Sequence, residues 1–245
     1  MTGERALGGE DLTAALAWWR EAGVEHDYAD APRAWLKSAE PVVEAQVAPI
    51  AAAPPPPPRT RFGGDPALWP RTFEEFAPWW LSEPLLDGGQ VAGRVAPRGV
   101  AGAKLMVLVD YPEAEDGERL LSGPQGRLLD AILAALGIGP DQAYLAAALP
   151  RHMPLPDWAD LREVGLGVVT AQHIALAAPK RLLVLGSHVS SLLGHDPANS
   201  SGFLPNLDQE GPSLPALVAP GLDSLAARPR GKARLWQALL DWQVV

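Results

Sequence analysis

Residues 104–138, KLMVLVDYPEAEDGERLLSGPQGRLLDAILAALGI, decide the fold of this chain. A run of apolar residues, 105–109, lies between Lys104 and Asp110, which is typical of a strand buried on both faces of a parallel sheet. An acidic loop follows, and then leucines recur at helical spacing until Gly137 stops the helix. The stretch therefore predicts a strand, a loop and a helix, with the loop at the ligand-binding edge of an open α/β sheet.

The rest of the chain continues this alternation of strands and helices. We predict further strands at 143–149, 181–185 and 214–219. We predict helices at 11–23, 72–81, 160–178, 187–194 and 232–242, and a polar loop at 195–211. Alternating elements with buried-type strands imply a parallel sheet that is covered by helices on both faces. We therefore expect a three-layer α/β/α sandwich around a mainly parallel, four-stranded sheet.

A run of five prolines, 54–58, is the clearest boundary in the sequence. Such a run favours stiff polyproline II and cannot hold a helix or a central strand. The sequence thus divides into an N-terminal helical extension (1–47), a Pro/Ala-rich linker (48–66) and an α/β domain (67–245). The extension carries a Trp-rich amphipathic helix, which is either a cap on the main domain or a docking helix for a protein partner.

Charge and composition exclude several classes of function. A net charge of −9 argues against a strongly basic nucleic-acid binder, although it allows a local basic patch. The chain has no cysteine, which excludes disulfides, zinc–thiolate sites, iron–sulfur clusters and cysteine nucleophiles, and we expect no cofactor. Because no apolar run has membrane-spanning length and the N-terminus is too acidic for a signal peptide, we expect a cytoplasmic protein without membrane contact.

The acidic loop is the first candidate site. It carries five carboxylates: Asp110, Glu113, Glu115, Asp116 and Glu118. Clustered carboxylates can hold a metal ion, but a solvated acidic loop at the end of a strand is the favoured interpretation. The loop would also repel DNA phosphates unless a cation lay between them.

A basic cluster is the second candidate site. Arg228, Arg230, Lys232 and Arg234 lie at the start of the last predicted helix. A helix N-terminus with four cations is suited to binding phosphate, so DNA is a candidate partner. Ordinary surface charge explains the same cluster equally well.

Four segments of the chain resemble known sequences, and they occur in the same order. They are 105–138, quoted above, AYLAAALPRHMP (143–154), QHIALAAPKRLLVLGSHVSSLLG (172–194) and LPALVAPGLDSLAARPRGKARLWQALLDW (214–242). They resemble the family-4 uracil-DNA glycosylases and the wider uracil-DNA glycosylase superfamily over nearly the whole chain. The resemblance implies the same α/β/α sandwich.

Glycosylases of this kind flip uracil out of the helix, stack it on an aromatic ring, read its edge with an amide and stabilise the departing base. By resemblance, Asp110 takes the place of the family's acidic catalytic residue, and four further positions form the base pocket: Tyr111, Leu121, Ala147 and Ala219. Leu121 stands where the family has the stacking aromatic residue, Ala147 where it has the uracil-reading asparagine, and Ala219 where it has a histidine. His152 and His188 lie in other segments and are expected at the surface.

The resemblance therefore implies a catalytically degenerate glycosylase, since losing a single preorganised donor typically costs about 3–4 kcal/mol of transition-state stabilisation. Such a protein would act as an accessory or DNA-associated scaffold in DNA repair or replication. One alternative is a divergent, active glycosylase that uses Asp110 to hydrolyse the N-glycosidic bond of uracil in DNA. Another is a protein–protein interaction module without DNA binding.

Overall fold

The computed structural model describes residues 9–23, 59–194, 203–207 and 214–242. The chain forms two compact units, Met1–Pro56 and Pro57–Val245. In the first unit, helix α1 spans Gly9–Glu21, and its apolar side chains are exposed. Residues 24–58, which include most of the predicted extension and the proline run, lie outside the described residues, and so do residues 195–202.

The second unit is built on a five-stranded sheet. Its strands are β1 (Leu105–Val109), β2 (Ala143–Ala147), β3 (Leu182–Leu185), β4 (Phe203–Leu207) and β5 (Leu214–Ala219). Their order is β2-β1-β3-β5-β4, and the first four strands in that order are parallel. This confirms the predicted parallel sheet of four strands.

Strand β4 corrects the sequence prediction, which placed a polar loop at 195–211. It pairs with β5 in the antiparallel sense and lies at the edge of the sheet. Its register shifts between Leu204 and Leu207, around Pro205. Proline lacks the N–H that a ladder needs, so it is tolerated in an edge strand. The short apolar run was hidden because asparagine, aspartate and glycine surround it.

Helices cover both faces of the sheet, which confirms the α/β/α sandwich. Leu105 and Val107 of β1 pack in one core with side chains of α3 (Pro124–Ala135), α7 (Leu222–Ala227) and α8 (Pro229–Asp241). Met106 and Leu108 face the opposite core, beneath α5 (Leu166–Ala177) and α6 (Ser187–Leu192). Because successive strand residues point to opposite faces, one fully apolar strand serves both cores.

A third hydrophobic core contains the residues at the beginning of the second unit. Helix α2 spans Phe73–Ser82, and the Glu75 carboxylate accepts the Thr72 backbone N–H at 3.2 Å, as the predicted capping box requires. Phe76 of α2 is buried and stacks on His173 with ring centroids 3.7 Å apart. Phe62 packs in the same core, so the compact unit begins before residue 67.

The long helix predicted at 160–178 is divided in two, which is a further correction. Helix α4 spans Trp158–Glu163, and α5 begins at Leu166. Between them Gly165 adopts a φ of 99°, a left-handed conformation that glycine accepts without strain. Asp157 caps α4 by accepting the N–H groups of Ala159 and Asp160. The break sets the direction of α4 separately from that of α5.

Candidate functional site

A cavity of about 540 Å³ opens at the carboxyl ends of β1, β3 and β5, and we call it the acidic cavity. The lining of the cavity includes Asp110 and Tyr111 after β1, Ser187 and His188 after β3, and Asp223 after β5. The chain passes from β1 to β2 on one side of β1 and returns to β3 on the other. Open α/β sheets bind ligands at this kind of switch point, so the acidic cavity is the natural candidate site.

Asp110 has the most unusual environment in the acidic cavity. Its carboxyl group packs on Gly186, where a Cβ would lie 2.2 Å from Oδ1. In the described part of the chain, no group donates a hydrogen bond to Oδ1. The pKa of Asp110 is raised to about 6, mainly by burial and slightly by Asp223, although His188 and a hydrogen bond from the Val189 backbone lower it. Asp110 therefore titrates close to neutral pH, as general bases and binding carboxylates often do.

An aromatic pair forms part of the wall of the acidic cavity. The ring of His188 stacks on Trp158 with centroids 4.9 Å apart and planes at 2°. His188 is exposed, as expected, but it lies at the site rather than away from it. The rings of His152 and Tyr111 contact each other edge to face with centroids 5.4 Å apart, and the His152 Nδ1 lies 2.8 Å from the Pro112 carbonyl oxygen. These neighbours could not be predicted from the sequence because distant segments supply them.

Glu113 is buried and caps α3, although we expected it in a solvated loop. Its carboxylate accepts the backbone N–H groups of Gly123 at 3.0 Å, Gln125 at 2.7 Å and Gly126 at 2.9 Å. These amides lie at the N-cap and in the first turn of the helix, where a negative charge is stabilised by the helix dipole. Glu113 is thus a structural group.

Asp116 fixes the rest of the acidic loop. Its carboxylate accepts the backbone N–H groups of Glu113, Leu121 and Ser122 and the Ser122 hydroxyl. The solvated-loop interpretation is therefore wrong for Glu113 and Asp116, while Glu115 and Glu118 are exposed. The described residues contain no group of three or more candidate metal ligands, so they offer no support for a metal site in this loop.

The structure separates the positions of the predicted base pocket. Asp110, Tyr111 and Ala219 line the acidic cavity together. Leu121 and Ala147 belong instead to the core between the sheet and α3. Leu121 has a positive φ of 55°, and its chain turns so tightly that a Cβ on Gly126 would lie 1.8 Å from the Leu121 carbonyl oxygen. This turn directs position 121 into the core.

A second cavity, of about 660 Å³, adjoins the first, and we call it the arginine cavity. Arg228, Arg230 and Arg234 line it at the start of α8. Lys232 points elsewhere, to an apolar cavity with Ile132 and Trp236. Three of the four predicted cations therefore share one surface. The acidic and arginine cavities also share four lining residues: Val218, Ala219, Pro220 and Ser224.

The fold and the site define an α/β sandwich protein with a cavity at the switch point of its sheet. No known protein-family model and no curated protein matches this chain. The resemblance to uracil-DNA glycosylases therefore stays a prediction. Within the described ranges, no helix has both the length and the apolar character needed to cross a bilayer.

Proposed function

We propose that this protein binds DNA at the carboxyl edge of its sheet, as a uracil-DNA glycosylase-like accessory or scaffold in DNA repair or replication. One observation carries the proposal: the acidic cavity, with its aromatic wall, adjoins the arginine cavity through shared lining residues. A nucleotide turned out of its strand needs both environments, because its base requires a pocket and an aromatic face while its phosphates require cations.

The arginine cavity supplies the phosphate contacts. Arg228, Arg230 and Arg234 are exposed, and they surround the N-terminal turn of α8, where the helix dipole also favours anions. The protein as a whole is acidic, so favourable contact with DNA is concentrated at this patch. If all three arginines neutralise phosphates, the salt dependence of single-strand binding has a slope of roughly −2.

The acidic cavity supplies the base contacts. The Trp158–His188 pair provides an aromatic surface, which Leu121 does not. Base–aromatic stacking contributes about 1–3 kcal/mol per base in single-strand binding. This pair therefore takes over the stacking role that the resemblance placed at position 121.

Salt-dependent binding tests the proposal. Fluorescence anisotropy would follow labelled single-stranded and duplex oligonucleotides across a salt series. We expect Arg230→Ala to weaken binding to every sequence and to reduce the salt slope by about one. Lys232→Ala is the matched control, because it removes a cation from the same helix that faces another cavity. Equal effects of the two variants, or affinity without salt dependence, would contradict the proposal.

Hydrolysis of the N-glycosidic bond is a second candidate function, favoured by the near-neutral pKa of Asp110. In that reaction Asp110 takes a proton from a water molecule as the water oxygen bonds to C1′. The C1′–N electron pair leaves with the base, which then takes up a proton from solvent. Base release from uracil-containing DNA at excess protein, abolished in Asp110→Asn, would establish it. Absence of release would leave a binding protein.

A further inference from the structure

We infer that the acidic cavity selects a base with N–H donors on its edge, guanine above all, and discriminates against uracil and thymine. This inference rests on the proposed function, because it assigns the kind of base that the same cavity takes. It follows from the charge of the lining, where two carboxylates, Asp110 and Asp223, lie together.

Carboxylates constrain the ligand through their hydrogen bonding. An ionised carboxylate only accepts hydrogen bonds, so a base facing Asp110 and Asp223 must donate them. The pairing edge of guanine presents two adjacent donors, the N1–H and the 2-amino group. The edge of uracil presents one N–H between two carbonyl oxygens, which a carboxylate repels. The lining thus disfavours uracil as well as favouring guanine.

Asp110 itself has acceptor capacity to spare. Its Oδ1 receives no hydrogen bond from the described residues, and a buried acceptor without a donor is energetically costly. Gly186 lets the carboxyl group approach the backbone that follows β3, since any larger residue would collide with it. The carboxyl group is therefore held in the lining of the cavity, where a ligand N–H can approach the part of it that remains exposed.

The groups around Asp110 predict how binding depends on pH. His188 faces it from α6, Asp223 from α7 and Tyr111 from its own loop. A donating base favours the ionised carboxylate. Because the pKa of Asp110 is about 6, guanine binding should be full above that pH and weaken as the pH falls through it. A pH dependence that survives in Asp110→Asn would come from another group and would contradict the role assigned to Asp110.

The test compares thymine oligonucleotides that carry one central guanine, hypoxanthine or uracil. We expect guanine to bind about tenfold more tightly than uracil, the size of a typical bidentate base contact. Hypoxanthine lacks only the 2-amino group and should bind with intermediate affinity. Asp110→Asn should remove the preference. Glu115→Gln is the matched control: Glu115 is an exposed carboxylate of the same loop, so its loss should leave the preference intact.

The outcomes separate this inference from the proposed function. Equal affinity for guanine and uracil, with binding still sensitive to Arg230→Ala, would overturn the inference and leave the proposed function standing. If no oligonucleotide binds, calorimetry with guanosine, inosine and uridine monophosphates decides. A guanosine preference that is lost in Asp110→Asn would support the base assignment without DNA binding. If none of these monophosphates binds, both the inference and the proposed function are overturned.

Discussion

Asp110 and Glu113 belong to one loop, three residues apart, and their carboxylates have opposite surroundings. Glu113 is only 5% exposed, yet three backbone N–H groups donate to it. Asp110 is less buried, but its Oδ1 has no donor among the described residues and its pKa is raised to about 6. Burial alone therefore does not distinguish the two carboxylates; the number of hydrogen bonds that each one accepts does.

The largest effect should come from Glu113. Replacing it with alanine leaves three N–H groups at the start of α3 without their acceptor, two of them buried, and we expect a loss of about 3–4 kcal/mol in the free energy of unfolding. Urea denaturation measures this loss. Glu115→Ala, at an exposed position in the same loop, should change stability by no more than about 0.5 kcal/mol. Similar losses in both variants would remove the structural role assigned to Glu113.

A smaller loss should follow from Gly186→Ala. The new Cβ would meet the Asp110 carboxyl group, and the backbone has a φ of 143°, so we expect destabilisation of about 2–3 kcal/mol. Adding Asp110→Gly should recover the part of the loss that is due to the collision. A double-mutant cycle in urea measures the coupling. Independent, additive effects would show that the two residues are not in contact in solution.

Asp110→Asn should have the smallest effect, and it should stabilise the protein. Because folding raises the pKa of Asp110 from 3.8 to about 6, ionisation costs stability as the pH rises from about 4 through 6. The variant removes this cost, so we expect a gain of about 1–2 kcal/mol at pH 8 and little change at pH 3.5. Urea denaturation at both pH values measures it. A loss of stability at pH 8 would mean that the Asp110 charge is well satisfied in the folded state.

The sequence predicted the three layers of the sandwich because buried parallel strands and amphipathic helices each have a recognisable local sequence pattern. The apolar run of β1 and the leucine spacing of α3 each lie within a single short stretch. The prediction of helices and strands failed where this local pattern was weak or ambiguous. It joined α4 and α5 across Gly165, and it assigned no element to α7 or β4.

The candidate site was predicted only in part. Asp110 was found because it follows a buried strand, and Tyr111 and Ala219 do line the same cavity. Leu121 was misplaced because a resemblance aligns positions without showing that a positive φ directs one of them into the core. The Trp158–His188 pair was missed because the two residues meet only after α4 and α6 have packed.

The sequence alone determined the α/β alternation, the acidic charge and the absence of thiol chemistry, since each depends on residue type or on local spacing. Only the tertiary structure decided which carboxylate of the loop is satisfied and which faces a cavity. Glu113 meets amides at the start of the helix that follows its loop, whereas Asp110 meets Gly186, which follows a strand that is adjacent only in the folded sheet. Desolvation and hydrogen bonding depend on such neighbours, so the pKa of Asp110 is a property of the fold.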